Sequence, residues 1–180
     1  MISPARAVLL PLAGAVLTVF AASAAVAQGT GDGAGWTVSE TLSPVDYSPQ
    51  IVAMLPSGTE AAMFGVYCRR GRTEVSVGFG DLPRKAVGAE TRIVQRIGDG
   101  PPEERRWSEQ PPGGADETTT LFLKGDAIAF LRSLPDDGAM TLRVQDRQGT
   151  AHEATFRLAG FDKVRARLAV ACKWPKPVGP

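Results

Sequence analysis

Short runs in which apolar and polar residues alternate constrain this chain more than any other feature. Residues 64–68 and 75–79 alternate on either side of Arg70-Gly71, and residues 140–144 and 152–158 do so on either side of Gln148-Gly149. A period of two places the apolar side chains on one face of a β-strand, and a turn signal between two such runs is typical of a hairpin. Together with the β-rich runs 51–55, 92–97 and 118–123, the pattern predicts about seven short strands.

Two further segments have the spacing of helices. Asp126 is a suitable N-cap for an apolar stripe that ends before Pro135, and a second stripe with a spacing of three to four residues follows Gly160. The two stripes consist of Ala127, Phe130, Leu131 and Leu134, and of Phe161, Val164, Leu168 and Cys172. Because hairpin-linked strands dominate, we expect a mainly β, α+β fold: an antiparallel β-sandwich or a partly open barrel with two short helices.

The start of the chain has the organisation of a secretory signal peptide. Arg6 precedes an almost wholly apolar stretch, residues 7–27, which ends in the small-x-small sequence Ala25-Val26-Ala27. The stretch is also long enough for an uncleaved membrane anchor, but Pro11 and Gly14 within it favour cleavage. We therefore predict a Sec-type signal peptide with cleavage near Ala27, a periplasmic or secreted protein, and no stable membrane span after cleavage.

The rest of the chain is expected to form one domain. A Gly-rich flexible leader covers residues 28–35, a single β-rich domain covers 36–174, and a Pro-rich tail covers 175–180. Of the 20 Lys and Arg residues, Arg6 is lost on cleavage, and the others equal the 19 Asp and Glu residues in number. Because a neutral protein generates little field to attract nucleic acid, no nucleic-acid partner is expected.

Two cysteines, Cys68 and Cys172, are the whole cysteine content of the chain. In an oxidising compartment, two cysteines of one exported domain are most simply explained by a structural disulfide. The alternative is a redox-active thiol, but the chain has no CxxC motif and neither cysteine has a His nearby in sequence. The predicted bridge ties the second helix to an early strand.

The sequence offers little catalytic or metal-binding chemistry. A single His and two Cys are too few for a multi-His metal site or a structural zinc site. His152 lies on the apolar face of its predicted strand, where a hydrogen-bonded core or edge His is the simpler interpretation. Glu103-Glu104 and Asp136-Asp137 are carboxylate pairs of the kind a glycosidase uses, but both adjoin turn residues and are interpreted as solvated loop charges. We predict no catalytic set, no metal and no cofactor.

The candidate partner-binding residues lie at a predicted hairpin tip and near a second turn. Arg69, Arg70 and Arg72 cluster beside Cys68, and guanidinium groups bind carboxylates and phosphates well. The alternative is a solvated turn that contacts only water. Trp107 follows two Glu and two Arg residues and is a candidate interface anchor, with a partly buried core position as the alternative.

Several segments, taken in order, resemble the type VI secretion-associated proteins of the VasI/TagO kind, a group of exported accessory proteins. They are Trp36 with Ser43-Pro44-Val45-Asp46; Val66-Tyr67-Cys68-Arg69 with Arg72-Thr73-Glu74-Val75; residues 96–101 with Trp107; the 127–134 helix; and residues 154–161 closing on Ala171-Cys172-Lys173-Trp174. The resemblance covers about residues 36–174 and depends on order and spacing rather than on one motif. It implies a non-enzymatic periplasmic protein whose two cysteines match the group's pattern.

Three functions follow as hypotheses. The first is a periplasmic accessory or interaction protein with a periplasmic or envelope protein partner, linked through the resemblance to a type VI secretion system. The second is a β-domain that binds a small ligand or the cell wall, for which a deep pocket lined by Trp, Tyr and Arg is expected. The third, an envelope hydrolase, requires a buried carboxyl pair at glycosidase spacing.

Overall fold

A computed structural model describes residues 30–31, 35–83, 88–110 and 118–176 of the chain. The predicted signal peptide, residues 1–27, and the last four residues of the predicted tail lie outside these ranges. The described strands are β1 (Thr30–Gly31), β2 (Thr37–Leu42), β3 (Pro49–Pro56), β4 (Ala62–Arg69), β5 (Arg72–Phe79), β6 (Glu90–Ile97), β7 (Glu103–Glu109), β8 (Thr119–Leu123), β9 (Ala139–Gln145) and β10 (Ala151–Arg157). The described helices are α1 (Ala127–Ser133) and α2 (Phe161–Ala171).

The described strands join in one antiparallel sheet with the order β1-β2-β3-β4-β5-β8-β7-β6-β9-β10. Consecutive strands are neighbours as far as β5, after which β8 pairs with β5 and β9 pairs with β6. The two end strands of this order do not pair with each other, so the sheet is not closed. The predicted class is confirmed: the protein is mainly antiparallel β with two short helices, and its sheet is consistent with a sandwich or a partly open barrel.

The strand register gathers the apolar side chains onto one buried face. Val38, Ala53, Val66 and Val75 follow one another across β2 to β5 as paired residues, and each is at most 2% exposed. Each of the three valines contributes about 1.5–3 kcal/mol by leaving water. The alternation in the sequence therefore corresponds to the division between the core and the outer face of the sheet.

Both helices pack against this buried face. The Asp126 carboxylate accepts a hydrogen bond from Ala129 N at 2.9 Å, which confirms it as the N-cap of α1. Helix α2 contacts β3 and β4, and the ring of its first residue, Phe161, stacks on Trp36 with the centroids 5.5 Å apart. The buried residues of α1 are Phe130 and Leu131, and those of α2 are Phe161, Val164 and Leu168, as the helical stripes predicted.

The turn between β3 and β4 covers the outer edge of β10. Gly58 N donates to Thr155 O at 3.0 Å, and Thr155 N donates to Thr59 Oγ1 at 3.1 Å. Glu153 N donates to Glu60 Oε1 at 3.3 Å. An uncovered edge strand offers its backbone to other chains. The last strand of the sheet therefore meets this turn, which binds three backbone groups of the edge: the N–H groups of Glu153 and Thr155 and the carbonyl of Thr155.

Three strands were not predicted. The interpretation of Glu103-Glu104 as loop residues is wrong, because both belong to β7. The inward positions of β7 include Arg105 and the buried Glu109 beside Trp107, so its sequence shows no apolar alternation. Strand β2 buries only one of its six residues. Strand β1 is formed by Thr30–Gly31 of the predicted leader, which pair with β2.

Candidate functional site

The three candidate arginines occupy a tight hairpin turn between β4 and β5, named here the arginine tip (Arg69, Arg70 and Arg72). Arg69 and Arg72 are paired across the hairpin, and the two turn residues between them, Arg70 and Gly71, have φ values of 51° and 70°. Two successive positive φ values are typical of the primed turns that match the twist of a hairpin. All three arginines are exposed, and none forms an ion pair with another described residue.

The predicted disulfide lies directly beneath the arginine tip. Cys68 and Cys172 are bonded, their Cα atoms are 5.6 Å apart, and both residues are buried. Two residues beyond Cys172, the indole Nε1 of Trp174 donates to Thr73 Oγ1 at 2.7 Å. The end of α2 is therefore joined to both strands of the hairpin, covalently to β4 and by a hydrogen bond to β5. We call this part of the molecule, formed by residues 42–48, 69–72 and 167–174, the disulfide end.

A polar cleft of about 620 Å³ runs from the arginine tip along the outer face of the sheet. The side chains that give the cleft its polar character are Arg69, Arg72, Thr73, Glu74, Ser108, Gln110 and Thr120. One wall is aromatic, because Tyr67 stacks on Phe122 at 6.0 Å and the Arg69 guanidinium lies 4.6 Å from the centre of the Tyr67 ring. This combination of guanidinium, hydroxyl and aromatic groups suits a polar ligand that carries a negative charge.

Gly65 positions the aromatic wall of the cleft. A Cβ atom at this glycine would lie 2.8 Å from the Tyr67 hydroxyl and 2.7 Å from Ser76 Oγ. The missing side chain leaves room for the Tyr67 hydroxyl, which accepts a hydrogen bond from Ser76 Oγ at 3.3 Å. Tyr67 is thereby directed along the outer face of the sheet, between the arginine tip and Phe122.

Asp46, in the loop between β2 and β3, lies beside the arginine tip. Hydrogen bonds from the Ser43 and Ser48 side chains, a backbone hydrogen bond from Ser48 and the charge of Arg70 together lower the pKa of Asp46 to about 2, against a smaller opposing effect of burial. The Ser48 hydroxyl donates to Asp46 Oδ1 at 2.8 Å. Asp46 therefore stays ionised at any physiological pH and holds its loop in a fixed shape.

On the other side of the disulfide lies an apolar groove between the β2–β3 hairpin and the last turns of α2. Its volume is about 830 Å³. Leu42 forms one wall and Val170 the other, while Arg167 and Lys173 lie at its margin with Glu40. Arg167 Nη1 and Glu40 Oε1 are 3.9 Å apart across the groove. The disulfide end thus carries a polar cleft on one side and an apolar groove on the other.

Trp107 is not part of this surface. Its side chain is 0% exposed, and its ring meets Phe130 of α1 edge-on at 6.5 Å. The prediction of Trp107 as a partner-binding residue is therefore wrong for the folded protein. Its burial follows from the register of β7, which turns position 107 toward the core and positions 104 and 106 toward solvent.

His152 and Asp146 form a small structural unit at the β9–β10 turn. His152 Nε2 lies 3.5 Å from Asp146 Oδ2, and both side chains are largely buried. Burial raises the pKa of Asp146, but backbone hydrogen bonds from Thr150 and Gln148 and the contact with His152 outweigh it, so the pKa is lowered. The carboxylate closes the turn through the backbone of Gln148 and Thr150. His152 Nε2 is buried without a hydrogen-bond partner among the described residues, so a hydrogen-bonded His152 stays a prediction.

The carboxylate pairs do not converge on a common site. Glu103 and Glu104 point to opposite faces of β7, and each pairs with an arginine at 3.1 Å, Arg105 and Arg92 respectively. Asp136 forms an ion pair with Arg165 of α2. Both pairs are occupied by structural contacts, and neither has the buried, facing geometry that glycoside hydrolysis requires.

No group of three or more His, Cys, Asp or Glu residues in the described ranges is placed to hold a metal ion. No helix among those same residues is long and apolar enough to cross a membrane.

Comparison with protein-family models, with curated proteins and with solved structures found no match to this chain. The likeness to the VasI/TagO kind therefore depends only on the order and spacing of the sequence segments named above.

Proposed function

We propose that this chain is an exported, non-enzymatic accessory protein of the periplasm that binds an acidic partner protein of the cell envelope through its arginine tip. The arginine tip is the observation that carries the proposal. Three exposed guanidinium groups lie within four positions, on a turn held by the disulfide beneath it. Guanidinium groups bind carboxylates in a fixed two-pronged geometry, and a loop that is already ordered loses less entropy on binding.

The buried disulfide supports the proposed location. Disulfides form and persist in oxidising compartments and are rare in the cytosol. The bridge between Cys68 and Cys172 agrees with the basic, apolar and small-residue order of the first 27 residues, which is that of an export signal. On the resemblance alone, we further propose that the partner belongs to a type VI secretion apparatus.

The proposal is tested by crosslinking in intact cells. An Arg69→Ala/Arg70→Ala/Arg72→Ala variant should fold normally, because exposed substitutions usually change stability by no more than about 0.5 kcal/mol. It should nevertheless lose the envelope proteins that crosslink to the native protein.

A matched control removes the same charge elsewhere. Arg96→Ala/Arg143→Ala/Arg157→Ala changes three exposed arginines on β6, β9 and β10, far from the arginine tip in the strand order. This control should keep every partner. If the arginine-tip variant folds and also keeps every partner, the tip is only a solvated turn and the proposal is wrong.

The polar cleft favours a second candidate function, the binding of a small anionic ligand or of cell-wall fragments. Its guanidinium and hydroxyl groups and its aromatic wall are suited to a carboxylated sugar. Calorimetric titration with soluble cell-wall fragments separates the two candidates. Saturable binding that is lost in an Arg72→Ala variant favours the ligand binder, and absence of heat favours the protein partner.

A further inference from the structure

The most exposed large apolar side chains of the described residues collect at the disulfide end. Leu42, Val45, Tyr47 and Val170 are 62%, 74%, 77% and 80% exposed. The other two large apolar residues with exposed side chains, Met63 and Val94, are only 36% and 38% exposed and lie elsewhere on the sheet. Single exposed apolar residues are common on protein surfaces, but a concentration of them marks an interaction site.

Uncommon backbone conformations occur in the same part of the molecule. Three non-glycine residues of the described chain have a positive φ, namely Tyr47 at 53°, Arg70 at 51° and Lys173 at 49°, and all three belong to this end. Bulky residues rarely adopt this conformation, and where they cluster they are often functional. These residues place an aromatic and two basic side chains in exposed positions.

The charges around these apolar groups are predominantly basic. Lys173 and Arg167 line the apolar groove, and the arginine tip lies across the disulfide from it. The nearby acids are Glu40, which faces Arg167, Asp46, which faces Arg70, and Glu74 in the cleft. The five basic side chains outnumber these three acids, although the whole sequence has a net charge of only +1.

We propose that the disulfide end docks on the surface of an anionic phospholipid membrane. Val45 and Tyr47 enter the interfacial layer from the loop tip, and an acyl chain lies in the apolar groove between Leu42 and Val170. Lys173, Arg167 and the arginine tip contact lipid phosphates. Tyr is favoured at the membrane interface, and basic residues beside apolar ones are typical of reversible attachment to anionic lipids.

The inference rests on the proposed location at the cell envelope, and charge complementarity decides between occupants. A protein interface usually buries its aromatic anchors in pockets of a matching surface. Here the apolar side chains project from a loop tip and from both walls of an open groove, within a basic surround. This is the arrangement that a fluid, negatively charged surface accommodates without a matching shape.

Flotation with lipid vesicles tests the inference on the full exported protein. The protein should bind vesicles containing phosphatidylglycerol, bind phosphatidylcholine vesicles much more weakly, and lose affinity as salt is raised. A Leu42→Ser/Val45→Ser/Tyr47→Asn variant should bind at least about tenfold more weakly, because each lost CH₂ group lowers the partition into lipid. Asn is chosen at position 47 because it tolerates positive φ.

A matched control changes the other two exposed apolar residues. Met63→Ser/Val94→Ser should leave vesicle binding unchanged, and each arginine removed from the arginine tip should lower it about fivefold. Circular dichroism verifies that every variant is folded. Absence of binding to phosphatidylglycerol vesicles at physiological salt, or equal binding by the loop variant and the native protein, would overturn the inference.

The outcomes also separate this inference from the proposed function. Partner capture that depends on the arginine tip, with no vesicle binding, leaves the proposed function intact and overturns the lipid inference. Vesicle binding without any protein partner that depends on the arginine tip supports the lipid inference and overturns the proposed function. Protein crosslinks that require Leu42 and Val45, in the absence of lipid binding, would reassign the apolar groove to a protein partner.

Discussion

Removal of the Cys68–Cys172 bridge should destabilise the domain mainly by increasing the conformational entropy of the unfolded chain. The bridge joins residues 104 positions apart. In the chain-entropy model, a bridge that closes a loop of about 100 residues adds about 4.7 kcal/mol to the free energy of unfolding. Since single domains are usually stable by about 5–15 kcal/mol, this is a third or more of the total. We therefore expect the reduced protein to be marginal at 37 °C.

The folded state should change much less than its stability. Helix α2 is also held by Phe161, Val164 and Leu168, which are 0% exposed. For a domain of about 140 residues, the unfolding entropy is about 0.3 kcal/mol per kelvin, so the loss corresponds to a fall in Tm of about 15 °C. The stacking of Trp36 on Phe161 provides a fluorescence probe that reports whether α2 stays docked.

The assay compares thermal and urea unfolding of the oxidised protein, the reduced protein and a Cys68→Ala/Cys172→Ala variant. The reduced native chain serves as the control, because reduction breaks the crosslink and leaves both cysteine side chains in place. A fall of less than about 1 kcal/mol would refute the reasoning, since the predicted loss is several times larger. Native-like stability with an undocked α2 would refute the packing of the helix.

Two further predictions concern the edge strand and the loop of Asp46. In a Thr59→Ala variant, Thr155 N loses its side-chain acceptor and part of the β10 edge is uncovered. We expect the free energy of unfolding to fall by about 1 kcal/mol and dimers to form at high protein concentration. Light scattering that shows only monomer would contradict the expected dimerisation. Because the pKa of Asp46 is lowered from 3.8 to about 2, its contribution to stability is present above pH 3.8 and lost as the pH falls toward 2. An NMR titration of the Asp46 carboxyl group should have a midpoint near 2. A midpoint near 3.8 would show that the Ser43 and Ser48 hydroxyls do not stabilise its ionised form.

Local patterns predicted the elements whose core faces are apolar. The alternating runs became β4, β5, β9 and β10, and both helical stripes became helices with the expected buried residues. The disulfide was also predictable, because two cysteines in a domain whose sequence predicts export have few other uses. In each case one chemical requirement, burial or oxidation, acts within a short segment or on a unique pair of residues.

Elements that depend on distant partners were not predictable. Strand β7 presents Arg105 to the core side, where its guanidinium lies 5.3 Å from the ring centre of Phe130, a contact that no local pattern shows. The pairing of β8 with β5 and of β9 with β6 also depends on long-range packing.

The candidate site also combines features that the sequence predicted with features that depend on the fold. The exposure of the arginine tip could be predicted from its turn sequence. The burial of Trp107 and the position of Leu42 and Val170 on opposite walls of one groove could not, because both depend on the tertiary structure. The positive φ values of Tyr47 and Lys173 had no signal in the sequence, because both residue types normally avoid this conformation.

Site-specific photocrosslinking in living cells tests most directly whether the disulfide end is the binding face. Tyr47 is replaced by the photoreactive aromatic p-benzoylphenylalanine, whose larger side chain is accommodated because Tyr47 is 77% exposed. Val94 on the outer face of β6 is replaced in the same way as the control. The account predicts protein or lipid adducts in the envelope fraction from position 47 and none from position 94. Adducts from position 94 alone, or none from position 47 in an exported and folded protein, would contradict it.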